Sequence, residues 1–297
     1  MAYYSGSAVN MAGVRQALVD ACSLEGWAWN ASTEMLSKGA MFLRLQVVSG
    51  YLTALGRTSA AAGDAPGVVR IGWIAPMRIP DISWPVEYEI FVFEDEVYLV
   101  INYAVDYYQW LAFGQSSISG VSGTGLWVSA TLSHVAMLRS DIDPIDMAAT
   151  NGGGSNLGCP GIFWGTTGQD PSRQSWVHSD IDGQGWWPAQ SLAGAPVGIS
   201  ASAPLLGLLP NAWNSEAVLL PIRAYKVRPS SKVSLTAELA HARYTRIDNY
   251  VPKEVVQIGS DKWRIFPFYR KNSAARNGGA GINHSGTFGW AIRYEGP

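Results

Sequence analysis

The order of apolar and polar positions changes character three times along the 297 residues. Near the N-terminus, Val14, Leu18, Val19 and Cys22 recur at helical spacing. This predicts a helix over Met11 to Leu24, with Asn10 placed to cap it and Gly26 following as a stop. Apolar or alternating segments come next at Trp27–Asn30 and Met41–Val48, with Ser37-Lys38-Gly39 as a turn between Met35 and Met41. Residues 56–66 (GRTSAAAGDAP) are small and polar and read as a surface loop. The strongest strand signal follows. VEYEIFVF and VYLVINY are rich in β-branched and aromatic residues, and the acidic triplet Glu94-Asp95-Glu96 between them reads as a solvent-facing hairpin tip. An aromatic segment, Tyr107 to Gly114, continues from there.

From Ser116 to Asn214 Gly, Ser, Asn and Pro become frequent and apolar runs shorten, as in NGGGSNLGCPG at 151–161. Trp127, Trp164, Trp176, Trp186, Trp187 and Trp213 punctuate the stretch. Disordered segments are poor in aromatics, so an ordered, loop-rich insertion is expected, locked by its Trp side chains against the core or a neighbouring subunit. After Val218 short strands return at Leu219–Val227, Val233–Ala240, Arg243–Asn249, Val255–Ile258 and Lys262–Phe268, and a last one at Thr287–Tyr294. Turn signals stand at Arg228-Pro229-Ser230 and Gly259-Ser260-Asp261. The expected fold is α+β, mostly antiparallel β: an N-terminal helix packed on a sheet, with a long loop-rich insertion. Its parts are 1–115 (α+β), 116–215 (the Gly/Trp-rich insertion) and 216–297 (β, closing the same core).

Composition adds a constraint on the surface. Charged residues are 15% of the chain against roughly 25% for an average soluble domain, while Trp and Tyr each number 13. That balance fits an interface-rich surface or a large aromatic core, and points toward obligate assembly. Net charge is −2 but unevenly spread: residues 1–222 hold 8 Lys/Arg against 18 Asp/Glu, and residues 223–297 hold 13 against 5. The two parts can pair within one domain, meet head to tail between subunits, or present a basic patch to nucleic acid. The absence of a dense basic cluster ranks the last reading lowest. The N-terminus MAYYSGSAVN lacks a basic region followed by an apolar one, and no run of 18 apolar residues occurs, so a chain made and folded in a cytosol is expected, with no membrane contact.

Little in the sequence carries chemistry. Cys22 falls on the apolar face of the helix and Cys159 in a Gly/Pro loop, with no CxxC spacing. His134, His178, His241 and His284 are far apart and lack zinc-binding spacing; His241 and His284 read as bonding backbone groups at turns. Asp141-Ile142-Asp143-Pro144-Ile145-Asp146 and Asp180-Ile181-Asp182-Gly183 invite calcium but follow no complete calcium loop, so caps and turns are the expectation. Gly152-Gly153-Gly154 lacks the Lys and helix of a phosphate cradle. Neither a catalytic residue, a cofactor nor a metal is expected. The run Trp176 to Trp187 is the best candidate for ligand contact, since exposed rings beside polar groups stack on sugars; packing within the chain or at a subunit boundary competes with it.

Four stretches resemble structural proteins of tailed bacteriophages and prophages. They are VRQALVDACSLEGWAWN with LSKGAMFLRLQV (14–47), EVYLVINYAVDYYQWLAFGQS (96–116), LLPIRAYKVRPSSKVSLTAELAHARYTRIDNYVPKEVVQIGSDKWRIFPFYRKN (219–272) and GGAGINHSGTFGWAIRY (278–294). The Trp-rich middle is poorly covered. The resemblance implies a non-enzymatic virion protein made in the bacterial host cytoplasm, first of all a tail or baseplate component. Its partners would be other phage structural proteins and copies of itself, without direct contact to nucleic acid. A receptor- or carbohydrate-binding tail module, a head–tail neck protein, a capsid decoration protein and an accessory cell-wall hydrolase are the alternatives. The residues expected at interfaces are Trp164, Trp176, Trp186, Trp187, Glu94, Asp95, Glu96, Arg270, Lys271 and Arg276.

Overall fold

The structure, a computed structural model, describes residues 1–72, 81–120, 122–133, 161–163, 175–183, 185–188, 218–228, 230, 232–248, 250–271 and 288–296. Among them one α-helix, α1 (Met11–Leu24), stands against eighteen strands in three antiparallel sheets. The class is therefore mainly β. Asn10 caps α1 by accepting the Gly13 amide at 2.8 Å, and Gly26 follows its end at φ +82°, a left-handed stop that suits glycine.

The first sheet is central. It runs in the order β1 (Ala2–Ala8), β7 (Val86–Val92), β8 (Glu96–Ala104), β9 (Tyr107–Gln115), β10 (Leu126–Ala130), β12 (Ser175–His178), β13 (Trp186–Pro188). The second has the order β11 (Leu132–Ser133), β6 (Val69–Gly72), β5 (Tyr51–Arg57), β4 (Met41–Val48), β3 (Met35–Lys38), β2 (Ala28–Asn30). The third has the order β14 (Leu220–Arg228), β15 (Lys232–Arg246), β18 (Phe288–Arg293), β17 (Asp261–Pro267), β16 (Val255–Ile258).

Successive strand residues point to opposite faces, and along β8, β9 and β10 of the central sheet both faces are buried. From β8, Val97, Leu99, Ile101 and Tyr103 pack toward α1 and the second sheet, joined by Leu111 and Phe113 of β9 and Val14, Leu18 and Cys22 of the helix. Tyr98 and Val100 face the other way, with Phe91, Trp110 and Trp127, onto Tyr244, Phe266 and Trp290 of the third sheet and Phe268 just after β17. The result is three layers, with the second sheet and α1 on one side of the central sheet and the third sheet on the other. Aromatic rings fill the second core at contact angles that favour edge-to-face packing. Tyr98 meets Trp290 at 5.6 Å and 67°, and Phe91 meets Phe266 at 5.9 Å and 81°.

Several expectations change. The Ser116–Asn214 stretch reads as loop, yet it supplies β10, β12 and β13 to the central sheet and β11 to the second, because Leu126, Trp127, Val128 and Trp176 have an apolar sheet face to continue. Val233–Ala240 and Arg243–Asn249 form one strand, β15; its pairing with β14 shifts register between Pro221 and Arg223 and between Ala224 and Tyr225, which bends the ladder without breaking it. The strand β1 has no counterpart in the sequence reading. Glu96 opens β8 and is not part of the turn, which spans Phe93 to Asp95. Cys159, His134, His284, the Asp141–Asp146 cluster, Gly152–Gly154 and Trp213 lie outside the described residues.

Leu99 and Trp290 are fully buried on opposite sides of the central sheet. Leu99→Ala should cost about 2–5 kcal/mol and Trp290→Ala about 3–5 kcal/mol. Urea denaturation should show lower midpoints with an unchanged slope in both, as expected where the three layers unfold as one unit.

Candidate functional site

Asp95 and Glu96, two of the charged residues singled out in the sequence, meet His241 at the junction between the central sheet and the third sheet. The turn after β7 places Glu94 outward, in an ion pair with Lys38 at 3.1 Å. Its neighbours turn toward β15, Asp95 staying partly exposed and Glu96 becoming buried. Asp95 lies 3.3 Å from His241 Nε2 on β15, and the His241 ring stacks on Phe93 at 3.9 Å and 4°. The contact with His241 holds the Asp95 carboxyl below its ordinary range. Glu96 is fully buried: it accepts the Tyr98 hydroxyl at 2.6 Å and the backbone amides of Ala240 and His241 at 2.8 and 2.9 Å. Burial pushes the Glu96 carboxyl up despite these bonds. The triplet therefore departs from the solvent-facing tip read in the sequence. Two of its three side chains fasten the β7–β8 hairpin to β15. His241 likewise departs from its expected turn role, sitting within a strand with its ring on an acid and an aromatic. Ser116 and Ser117 extend the same seam by bonding to the backbone of Glu238.

A second joint lies across the sheet pair. Glu89, buried in β7, accepts hydrogen bonds from Arg264 Nη2 at 3.2 Å and the Tyr3 hydroxyl at 2.9 Å, and is ion-paired with Arg264, whose Nε lies at 2.6 Å, and with Lys253 Nζ at 3.7 Å. Lys253 also pairs with Glu87. Burial, with Glu89 alongside, raises the Tyr3 hydroxyl to about 12, so it remains a donor at neutral pH. The sequence reading missed this joint, although its signal is legible: Glu89 shares strand parity with Phe91 and Phe93 and so had to face their core. The acidic N-terminal part and basic C-terminal part therefore meet, at these pairs, inside one chain, where a head-to-tail contact between subunits had been an open reading.

The tryptophans behave similarly. Trp176 is buried at 3% exposure against the first core, which removes it from the surface. Trp186 and Trp187, adjacent on the edge strand β13, point to opposite sides. The Trp186 indole donates to the Gly63 carbonyl at 2.9 Å, and its ring lies so close over Gly56 that an added Cβ there would fall 2.6 Å from it. The Trp187 indole donates to the Ser179 carbonyl at 3.0 Å, and Lys226 Nζ sits 3.0 Å from its ring centroid. Beside them, His178 Nδ1 accepts the Thr124 amide at 2.9 Å; burial lowers this imidazole, in keeping with a neutral acceptor. The carboxylate of Asp180 accepts the Gly185 amide, as a turn residue does.

Arg270 lies 5.1 Å from the Tyr107 ring and bridges to that residue's backbone. Lys271 is buried at 1% exposure, with Nζ donating to the Asp248 carbonyl at 3.1 Å and its amide to the Asp106 carbonyl. Lys271, expected at an interface, is thus enclosed within the chain. Trp164 and Arg276 lie outside the described residues. Among the described residues no group of three or more His, Cys, Asp or Glu is placed to hold a metal, and no helix is long and apolar enough to cross a membrane. Exposed apolar side chains remain at Val251, Val255 and Ile258, around the edge strand β16, and at Val9, Leu24 and Val105.

No protein-family model matches the sequence, and no curated protein matches it.

Two substitutions separate the turn from the joint. Glu96→Ala should cost about 3 kcal/mol or more, since it strands a buried hydroxyl and two amides at about 1–3 kcal/mol each, whereas Glu94→Ala should stay within about 0.5 kcal/mol; chemical denaturation of both variants measures the contrast. Because the folded carboxyl of Asp95 is depressed, its contribution is present above the ordinary carboxylate range and lost as pH falls through the folded value. The gap in urea midpoint between the parent and Asp95→Asn should accordingly be widest near neutrality and close on acidification.

Proposed function

We propose that the chain is a non-enzymatic structural component of a bacteriophage particle, placed at the tail or its baseplate end and acting by protein–protein assembly. The observation that carries this reading is how the reactive side chains are used. Asp95, Glu96, His241, Glu89 and Arg264 hold sheets together, and each is committed to a partner in the chain. Such an arrangement makes a stiff body with a defined outline, which is what a particle component contributes. The likeness of the four sequence stretches to tailed-phage structural proteins supplies the setting. The partners are then other virion proteins and copies of the chain, and the location is the virion after synthesis in the bacterial cytoplasm. The Gly/Trp-rich part between 116 and 215 is the region we assign to contacts between subunits.

A neck or capsid-decoration position is the alternative within the particle. A receptor- or glycan-binding module is less well supported, since Lys226 covers Trp187 and Gly56 lies under Trp186. Labelling purified phage particles with an antibody to this chain, viewed by electron microscopy, should mark the tail end. Label at the neck or on the capsid would move the position, and particles that carry none of the chain would sink the reading.

A further inference from the structure

Among the described residues, the free edges of the three sheets are not alike. A strand edge offers unpaired N–H and C=O groups to any passing strand, and proteins blunt such edges with short length, proline, bulges or charge. Here β11 has two residues, β2 and β13 three each, and β16 four. The nine-residue β14 carries Pro221, two register shifts and the cations Arg223, Lys226 and Arg228. The remaining edge, β1, has none of these protections. It is seven residues long and pairs with β7 in unbroken register from Ala2↔Val92 to Ala8↔Val86. Its sequence, AYYSGSA, holds no charge and no proline, and Ser5, Gly6 and Ser7 are exposed.

We propose that β1 is a docking edge for a second copy of this chain, the two β1 strands pairing antiparallel about a two-fold axis at Ser5. The strand is complementary to itself in that register. Ser5 meets the other copy's Ser5, while Tyr4 falls opposite Gly6 and Tyr3 opposite Ser7, so large and small residues alternate across the seam, and Tyr4 of one copy meets the Tyr88 ring that lies over Gly6 of the other. Directly opposed residues share a face, so the tyrosines stay on the faces they already occupy, Tyr3 beside Phe91 and Tyr294, and Tyr4 toward Glu25. An uncharged strand also pairs with itself without like-charge repulsion. The two central sheets become one sheet of fourteen strands, an isologous contact that closes after two copies. This dimer does not rest on the phage setting: particle labelling and solution mass can fail independently.

Sedimentation of the purified full chain over a range of concentrations should show a monomer–dimer equilibrium. Ser5→Lys puts two ammonium groups opposite each other at an exposed position and should raise the dimer Kd about tenfold or more, with an unchanged circular dichroism spectrum. Ser5→Thr should leave the dimer intact, and mixing Ser5→Lys with Ser5→Glu chains should restore it as a heterodimer. Ser7→Lys provides a second exposed edge variant with the same expected loss. A parent chain that stays monomeric overturns the proposal. So does a dimer indifferent to both lysine variants, or a Lys/Glu mixture that fails to associate.

Discussion

The two-sided burial of the central sheet is the constraint on which the other features depend. An antiparallel sheet commonly rests one face on a core and wets the other. Here β8, β9 and β10 are apolar on both faces, so each face requires its own cover. One cover comes from α1 and the second sheet, and the other from the third sheet. Exposing either side would return several Leu, Ile, Phe or Trp side chains to water, each worth about 1.5–3 kcal/mol. No single ion pair competes with that sum. The polar joints therefore act mainly as locators: Glu96 on the Ala240 and His241 amides and Glu89 on Arg264 fix where the third sheet sits, while the aromatic layer holds it there.

This division explains which parts of the structure were legible in the sequence. Elements governed by local rules were: the helix with its Asn10 cap and Gly26 stop, the Lys38-Gly39 hairpin, and the turn at 259–261. The unalternating apolar character of VYLVINY also belongs to the sequence, though its meaning, a strand covered on both faces, emerges only when two other layers are present to cover it. β1 escaped notice because Tyr-Tyr-Ser-Gly-Ser has neither alternation nor an apolar run; its strand form comes from pairing along the whole of β7. β10, β12 and β13 escaped because they sit among glycines and prolines and are too short to show a period.

For the candidate residues the same physics worked against the sequence reading. Acidic triplets between strands usually face water, and Glu94 does. Asp95 and Glu96 turn toward β15 because it presents two amides and an imidazole within reach, groups that come from more than 140 positions away in the chain. Likewise a Trp-Trp pair in a Gly-rich stretch looks like a ligand platform until the carbonyls of Gly63 and Ser179 are found at its indole nitrogens. Long-range partners of this kind leave no local trace, with the exception of Glu89, whose parity with Phe91 and Phe93 marks it for their core.

The layer order also has a consequence during synthesis. By residue 115 a ribosome has delivered α1, most of the second sheet and β7 to β9, but the strands that cover Phe91, Tyr98 and Trp110 begin only at Leu220, and Trp290 arrives near the end. At roughly 5–20 residues per second, this aromatic face stays bare for on the order of ten to thirty seconds. Nascent chains on neighbouring ribosomes would present the same sticky surface to one another during that interval.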